Sequence, residues 1–169
     1  VSLNARQSLR TRAFWLLGLS NSFRSLVTTG LIIHFVAMMV DRGFSLPTAS
    51  SLLGSVALLS IVGRIGLAWL GDILDKRYLL AGAMGIMALA LMGMSQAGNF
   101  WLLAFFLALY AVAYGGSIVL PVALQAEYFG RHSFATIRGL MQSVQTTGML
   151  IGPVFAGFVY DATQSYFVA

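Results

Sequence analysis

Phe14 to Met39 reads FWLLGLSNSFRSLVTTGLIIHFVAMM, a run of 26 residues whose one formal charge is Arg24. At about 1.5 Å per helical residue it is long enough to cross a hydrocarbon core of about 30 Å. Four further apolar runs of comparable length follow: Ala49 to Leu70, Tyr78 to Ala97, Phe100 to Leu124 and Gly139 to Tyr160. Backbone amides in lipid have no water to bond, so such segments are helices or strands of a closed barrel. Barrel strands are only about ten residues long and alternate in polarity. These runs stay apolar for twenty or more, which leaves helices. The expected fold is an all-α membrane protein, a multi-pass helix bundle of five spans. After the fifth comes Asp161-Ala-Thr-Gln-Ser-Tyr-Phe-Val-Ala169. Its last four residues, from Tyr166, read as the first turn of a sixth span, so an incomplete bundle is expected.

Composition agrees. Of 169 residues 59% are hydrophobic and 9% charged, whereas a water-soluble domain carries roughly a quarter charged. The missing polar surface implies a lipid bilayer as partner. Ten basic and five acidic side chains give a charge of +5, but the basic ones are scattered through short gaps, which excludes a nucleic-acid footprint. Cysteine is absent, so neither a disulfide framework nor a thiolate metal site is expected. Arg6, Arg10 and Arg12 before the first run mimic a leader, but that run is too long for one.

Loop charge orients the chain, because Lys and Arg are held on the cytoplasmic side. With the N-terminal end inside, Arg6, Arg10, Arg12, Lys76, Arg77, Arg131 and Arg138 are cytoplasmic and Arg42 alone is outside. Residues 1–13 then form a cytoplasmic linker and 14–169 the transmembrane bundle. Small residues recur at helix-packing spacings, as in Gly148 with Gly152, Gly152 with Gly157, and Gly82 with Gly85. Gly115-Gly116 with Pro121, and Gly152-Pro153, read either as bends or as plain packing positions.

Two arginines fall within spans. Arg24 lies near mid-membrane, where arginine costs at least about 2.5 to 3.5 kcal/mol on insertion scales. Asn21, Arg24 and Thr28 are three and four residues apart and share one helix face, which is turned to protein or water. Arg64 lies six residues before the expected end of the second span, within reach of snorkelling. All five acids lie in loops or at helix ends. The arginines therefore contact an anionic substrate, pair with acids elsewhere, or use carbonyls and the interface. His34, toward the outer end of the first span, is either a proton site or an interfacial hydrogen-bond donor. Two histidines without clustered carboxylates make no metal site, and no nucleophile triad or phosphate loop is present. An enzyme is not expected. Trp15 and Trp101 suit interfacial anchoring.

The stretch Gly63-Arg64-Ile-Gly66-Leu-Ala68-Trp-Leu-Gly71-Asp72-Ile-Leu-Asp75-Lys76-Arg77 resembles the loop signature of the major facilitator superfamily. Ala68 and Asp75 stand where that signature has glycines. In this reading Asp72 caps or bridges a helix end while Lys76 and Arg77 close an inner gate by charge pairing; positive-inside anchoring accounts for the two bases equally well. Arg12 to Trp15, Asp41-Arg42-Gly43, Glu127-Tyr-Phe-Gly130, Gly152-Pro153 and Asp161 to Tyr166 extend the likeness. Together they resemble helices seven to eleven, with the start of twelve, of the monocarboxylate porter and oxalate:formate antiporter branch.

The resemblance implies the second half of a twelve-helix transporter that moves a small organic anion by alternating access, with an N-terminal half as partner and no cofactor. It implies that Arg64 binds the substrate carboxylate, with Arg24, Asn21, Thr28 and Gln145 also facing the substrate. The branch's exchangers carry a lysine at the position of Gln145, and its porters often carry an aspartate at the position of Ser60. Those departures favour a monoanion or zwitterion over a dianion, and leave proton coupling through position 60 in doubt. A bacterial inner membrane is the location implied. The alternatives are an efflux or drug porter of the same superfamily, and a sensor or scaffold that kept the fold without transport.

Overall fold

The computed structural model describes residues 3–130 and 133–163, all helix, turn or loop, with no strand among them. Five long helices carry the chain: α2 (Arg12–Asp41), α3 (Leu46–Ile73), α4 (Lys76–Gln96), α5 (Phe100–Phe129) and α6 (Phe134–Thr163), preceded by the short α1 (Ala5–Ser8). Four of them, α2 to α5, are long and apolar enough to cross a membrane. The fifth, α6, matches them in length at 30 residues, but Gln142, Ser143, Gln145, Thr146 and Thr147 dilute its apolar character. The expected sixth span and the Arg131 loop position lie outside the described residues.

Helix ends follow from local chemistry. Asn4 and Gln7 form a capping box on α1, and the Thr11 hydroxyl accepts from Phe14 N to start α2. Asn99 Oδ1 accepts from Leu102 N at 2.8 Å, satisfying one of the orphan amides that open α5. At the end of α2, Gly43 has a φ of 87°. Its N–H donates to Val40 O and that of Phe44 to Met39 O, the paired bonds of a Schellman motif that needs a residue free to adopt positive φ.

The chain folds as two compact units. One comprises Val1–Leu46 with Gln125–Ala169, the other Pro47–Leu124. In the first, α2 packs along α6, and the end of α5 joins them: Leu3 N donates to Phe129 O, and the Phe14 and Phe129 rings meet edge to face at 6.4 Å. Phe14, Phe35, Met39, Phe129, Ile137 and Met141 are buried there. In the second unit α4 buries Leu80, Ala83, Met87, Ala90 and Met94, a stripe of alternating three- and four-residue steps that marks one inward face. By contrast α5 buries residues on every side, among them Leu103, Leu107, Tyr110, Ala111 and Ala113, as a central helix does.

Candidate functional site

In the second unit α3 presents Arg64. The helix runs to Ile73, three residues beyond the end expected from hydropathy, so Arg64 lies nine residues from the helix end, about 13 Å along its axis. Its side chain is exposed, and it has no hydrogen bond or ion pair among the described residues. Ile61, Val62 and Ile65 beside it are exposed apolar residues. Ser60, one turn earlier, is 1% exposed, and its hydroxyl donates to Ala57 O at 2.7 Å. The side chain at position 60 is therefore sealed and satisfied within its own helix.

The face of α3 opposite the exposed residues meets α5 through glycine. A β-carbon at Gly63 would stand 2.7 Å from the carbonyl carbon of Val112, and one at Gly116 would stand 2.7 Å from Leu67 Cβ. Gly115-Gly116 is thus a place of close approach, whatever bending Pro121 adds. The α5 chain runs helically through Pro121, and the Tyr110 and Tyr114 rings stack at 6.1 Å.

Beyond α3 the gating residues divide. Asp72 lies inside the last turn of α3, exposed and without a hydrogen bond or ion pair among the described residues. The helix cap comes from Asp75, whose Oδ1 accepts from Arg77 N at 2.9 Å at the start of α4. Arg77 Nε also stands 3.9 Å from the same oxygen, both side chains being largely exposed; such a pair contributes little beside the cap. The Lys76 stem lies along α3, its Cγ 3.4 Å from where a Gly71 β-carbon would be.

In the first unit the polar face of α2 is turned into protein. Asn21 and Thr28 are buried, and Arg24 between them is half-buried. Asn21 Nδ2 donates to Leu17 O at 3.0 Å. Ser25, which the sequence did not single out, is also buried, and its hydroxyl accepts from Gln145 Nε2 at 2.8 Å. Gln145 therefore ties α6 to α2. Toward the other end, His34 Nε2 lies 3.1 Å from Pro153 O; a carbonyl only accepts, so the imidazole is the donor. Last along the seam, the Tyr160 hydroxyl donates to Asp41 Oδ2 at 3.0 Å. Gly148 and Gly152 let the two backbones touch: β-carbons there would stand 2.7 Å from Ser22 C and 2.8 Å from Leu26 C.

The structure thus gives two polar features: an exposed arginine on an apolar helix of one unit, and a hydrogen-bonded seam between α2 and α6 in the other. The described residues hold no cluster of three or more metal-binding side chains.

Comparison with known proteins gives these features a context. The chain is 31% identical over 153 residues to monocarboxylate transporter 13 of Rattus norvegicus, covering 84% of this chain and 34% of that protein. It is 26% identical to monocarboxylate transporter 12 of Rattus norvegicus over 92% of this chain and 33% of that protein. It is also 22% identical to the uncharacterized transporter YycB of Bacillus subtilis (strain 168), over 90% of this chain and 38% of that one. The chain spans about a third of the length of the curated relatives it matches. A family model described as Major Facilitator Superfamily matches residues 15–169. With that pattern running through every long helix, the chain is a multi-pass membrane protein that belongs to the Major Facilitator Superfamily.

Proposed function

We propose that this chain supplies the second-half helices of a secondary transporter that carries a small organic monoanion by alternating access, with Arg64 as the anchor for its carboxylate. The carrying observation is Arg64 itself, exposed on an apolar helix about 13 Å along the axis from its end. A guanidinium within a membrane span is costly and marks a substrate or ion pathway by default. Its planar fork binds a carboxylate through two parallel hydrogen bonds and keeps its charge when desolvated. Similarity to proteins named monocarboxylate transporters supports the same substrate class.

One cationic anchor suits one negative charge. Gln145 supplies no second cation and is engaged with Ser25, which favours a monoanion over a dianion. Ser60 supplies no titratable group, so this proposal routes no proton through position 60. The N-terminal end faces the cytoplasm in this reading, because Arg6, Arg10, Arg12, Lys76, Arg77, Arg131 and Arg138 then stay inside.

The test is uptake of labelled acetate, lactate, pyruvate and oxalate into proteoliposomes holding the full-length protein, with Arg64→Gln beside the wild type. Monoanion uptake that is lost in the variant is the expected result. Uptake of none of the four sinks the carboxylate reading and leaves the superfamily's other substrate classes. Equal uptake by both proteins removes Arg64 from the site.

A further inference from the structure

The side chain of Arg64 is exposed, but its backbone is held. A β-carbon added to Gly115 of α5 would lie 2.9 Å from Arg64 N and 2.9 Å from Ser60 C, and closer still to Ser60 O. The neighbouring contacts repeat the pattern: Gly63 stands against the Val112 backbone, and Gly116 stands against Leu67. Residues 60, 63, 64 and 67 of α3 therefore meet α5 over two turns that bracket the arginine. The intimacy is local. Around Gly54 and Gly66, on the same helix, a β-carbon would find nothing within 4 Å.

We propose that Gly115 is a positioning residue for Arg64: by letting the α5 backbone touch α3 at Ser60 and Arg64, it sets where the guanidinium fork reaches the substrate carboxylate. The inference rests on Arg64 being the anchor, as proposed above. A methyl at position 115 forces α3 outward by on the order of 1 Å before ordinary contact distances of about 3.5 Å return. Bidentate binding depends on the plane and reach of the fork, and a displacement of that size costs up to about a hundredfold where geometry is decisive. Gly115 carries no functional group, so the effect is one of placement alone.

The experiment is a double-mutant cycle on uptake of labelled lactate by the full-length protein in proteoliposomes, with KM and kcat read separately. Gly115→Ala is expected to raise KM by about tenfold while kcat stays within about threefold. Arg64→Lys, which keeps the charge and loses the fork, is expected to raise KM in the wild-type background but to add less than about twofold on top of Gly115→Ala. Gly148→Ala is the control: it meets the Ser22 backbone as closely, within the other unit, and its effect should multiply with that of Arg64→Lys.

Should Gly115→Ala not reach the membrane, Leu67→Ala replaces it, loosening the same contact opposite Gly116 without a clash; a coupled rise in KM of about threefold is then expected. Independence of either variant from Arg64→Lys, or a KM no higher than that of Gly148→Ala, overturns the positioning role. Unchanged uptake in Arg64→Gln, measured in parallel, instead removes the anchor reading on which it rests.

Discussion

Gln145 Nε2 donates a 2.8 Å hydrogen bond to Ser25 Oγ, and this bond joins α6 to α2 across 120 residues of sequence. Ser25 is buried, so an unmatched partner would stay away from water. Gln145→Leu and Ser25→Ala should each lower the thermal midpoint of the detergent-solubilised protein. Their effects should be less than additive, with a coupling of about 0.6 kcal/mol and at most about 1.7, the range for interhelical bonds in membranes. Strict additivity would mean that the two side chains act separately, and would return Gln145 to the substrate site.

The glycines of the α2 and α6 seam make a sharper contrast. Ala at Gly148 or Gly152 must push against the Ser22 or Leu26 backbone, which has no side-chain torsion to yield. Overpacking of that kind costs about 1 to 3 kcal/mol. At Gly139, on the same helix, a β-carbon meets nothing within 4 Å, and Gly→Ala there should stabilise by about 0.4 to 1 kcal/mol. Thermal unfolding of the three single variants checks the order; a loss at Gly139 equal to that at Gly148 would sink the close-approach account.

Hydropathy and length were enough to place the five long helices, four of them apolar enough to cross a membrane, because in lipid an apolar run of twenty residues satisfies its backbone as a helix. Their ends were less legible. Arg12, Asp41, Asp72 and Glu127 belong to helices that hydropathy stops short of, since a helix continues through charged turns at the interface while the apolar signal ends. Among the candidate residues, Arg64 and Arg24 stood out by cost alone. The pairing of Gln145 with Ser25 and the contact of Gly115 with Arg64 did not, because each joins residues far apart in sequence and depends on helix rotation. The signal for the second was present as Ser60, Gly63 and Gly115-Gly116, small residues at packing intervals, and only the fold shows that they oppose one another.

Two neighbouring acids should behave differently. Asp75 caps α4 by accepting from Arg77 N, and loss of such a cap costs about 0.5 to 2 kcal/mol. Asp72 has no hydrogen bond among the described residues and sits exposed in the last turn of α3, where a negative charge opposes the helix dipole. Asp75→Ala is therefore expected to lower the thermal midpoint, and Asp72→Ala to leave it unchanged or slightly raised. If Asp72 serves an inner gate, its loss appears in the rate of counterflow instead. A drop in midpoint for Asp72→Ala that matches Asp75→Ala would show a structural tie at Asp72.

Pro153 interrupts the amide ladder of α6 without ending the helix, and its own carbonyl accepts from His34 Nε2 at 3.1 Å. Lacking an N–H, Pro153 leaves Met149 O without its usual donor, and proline inside a helix costs about 3 kcal/mol relative to alanine. The place of the proline beside a close α2 contact, Gly152 on Leu26, argues that α6 uses the loosened turn. Pro153→Ala should raise the thermal midpoint and slow turnover several-fold with KM little changed, because a stiffer α6 opposes rocking but not binding. His34→Gln keeps a donor for the Pro153 carbonyl, whereas His34→Leu removes it at a cost of about 0.5 to 1.5 kcal/mol; the two should differ in stability by that amount. A Pro153→Ala protein that is more stable and equally fast assigns the proline to packing, and one that is less stable shows that the neighbouring helix is shaped to the bend.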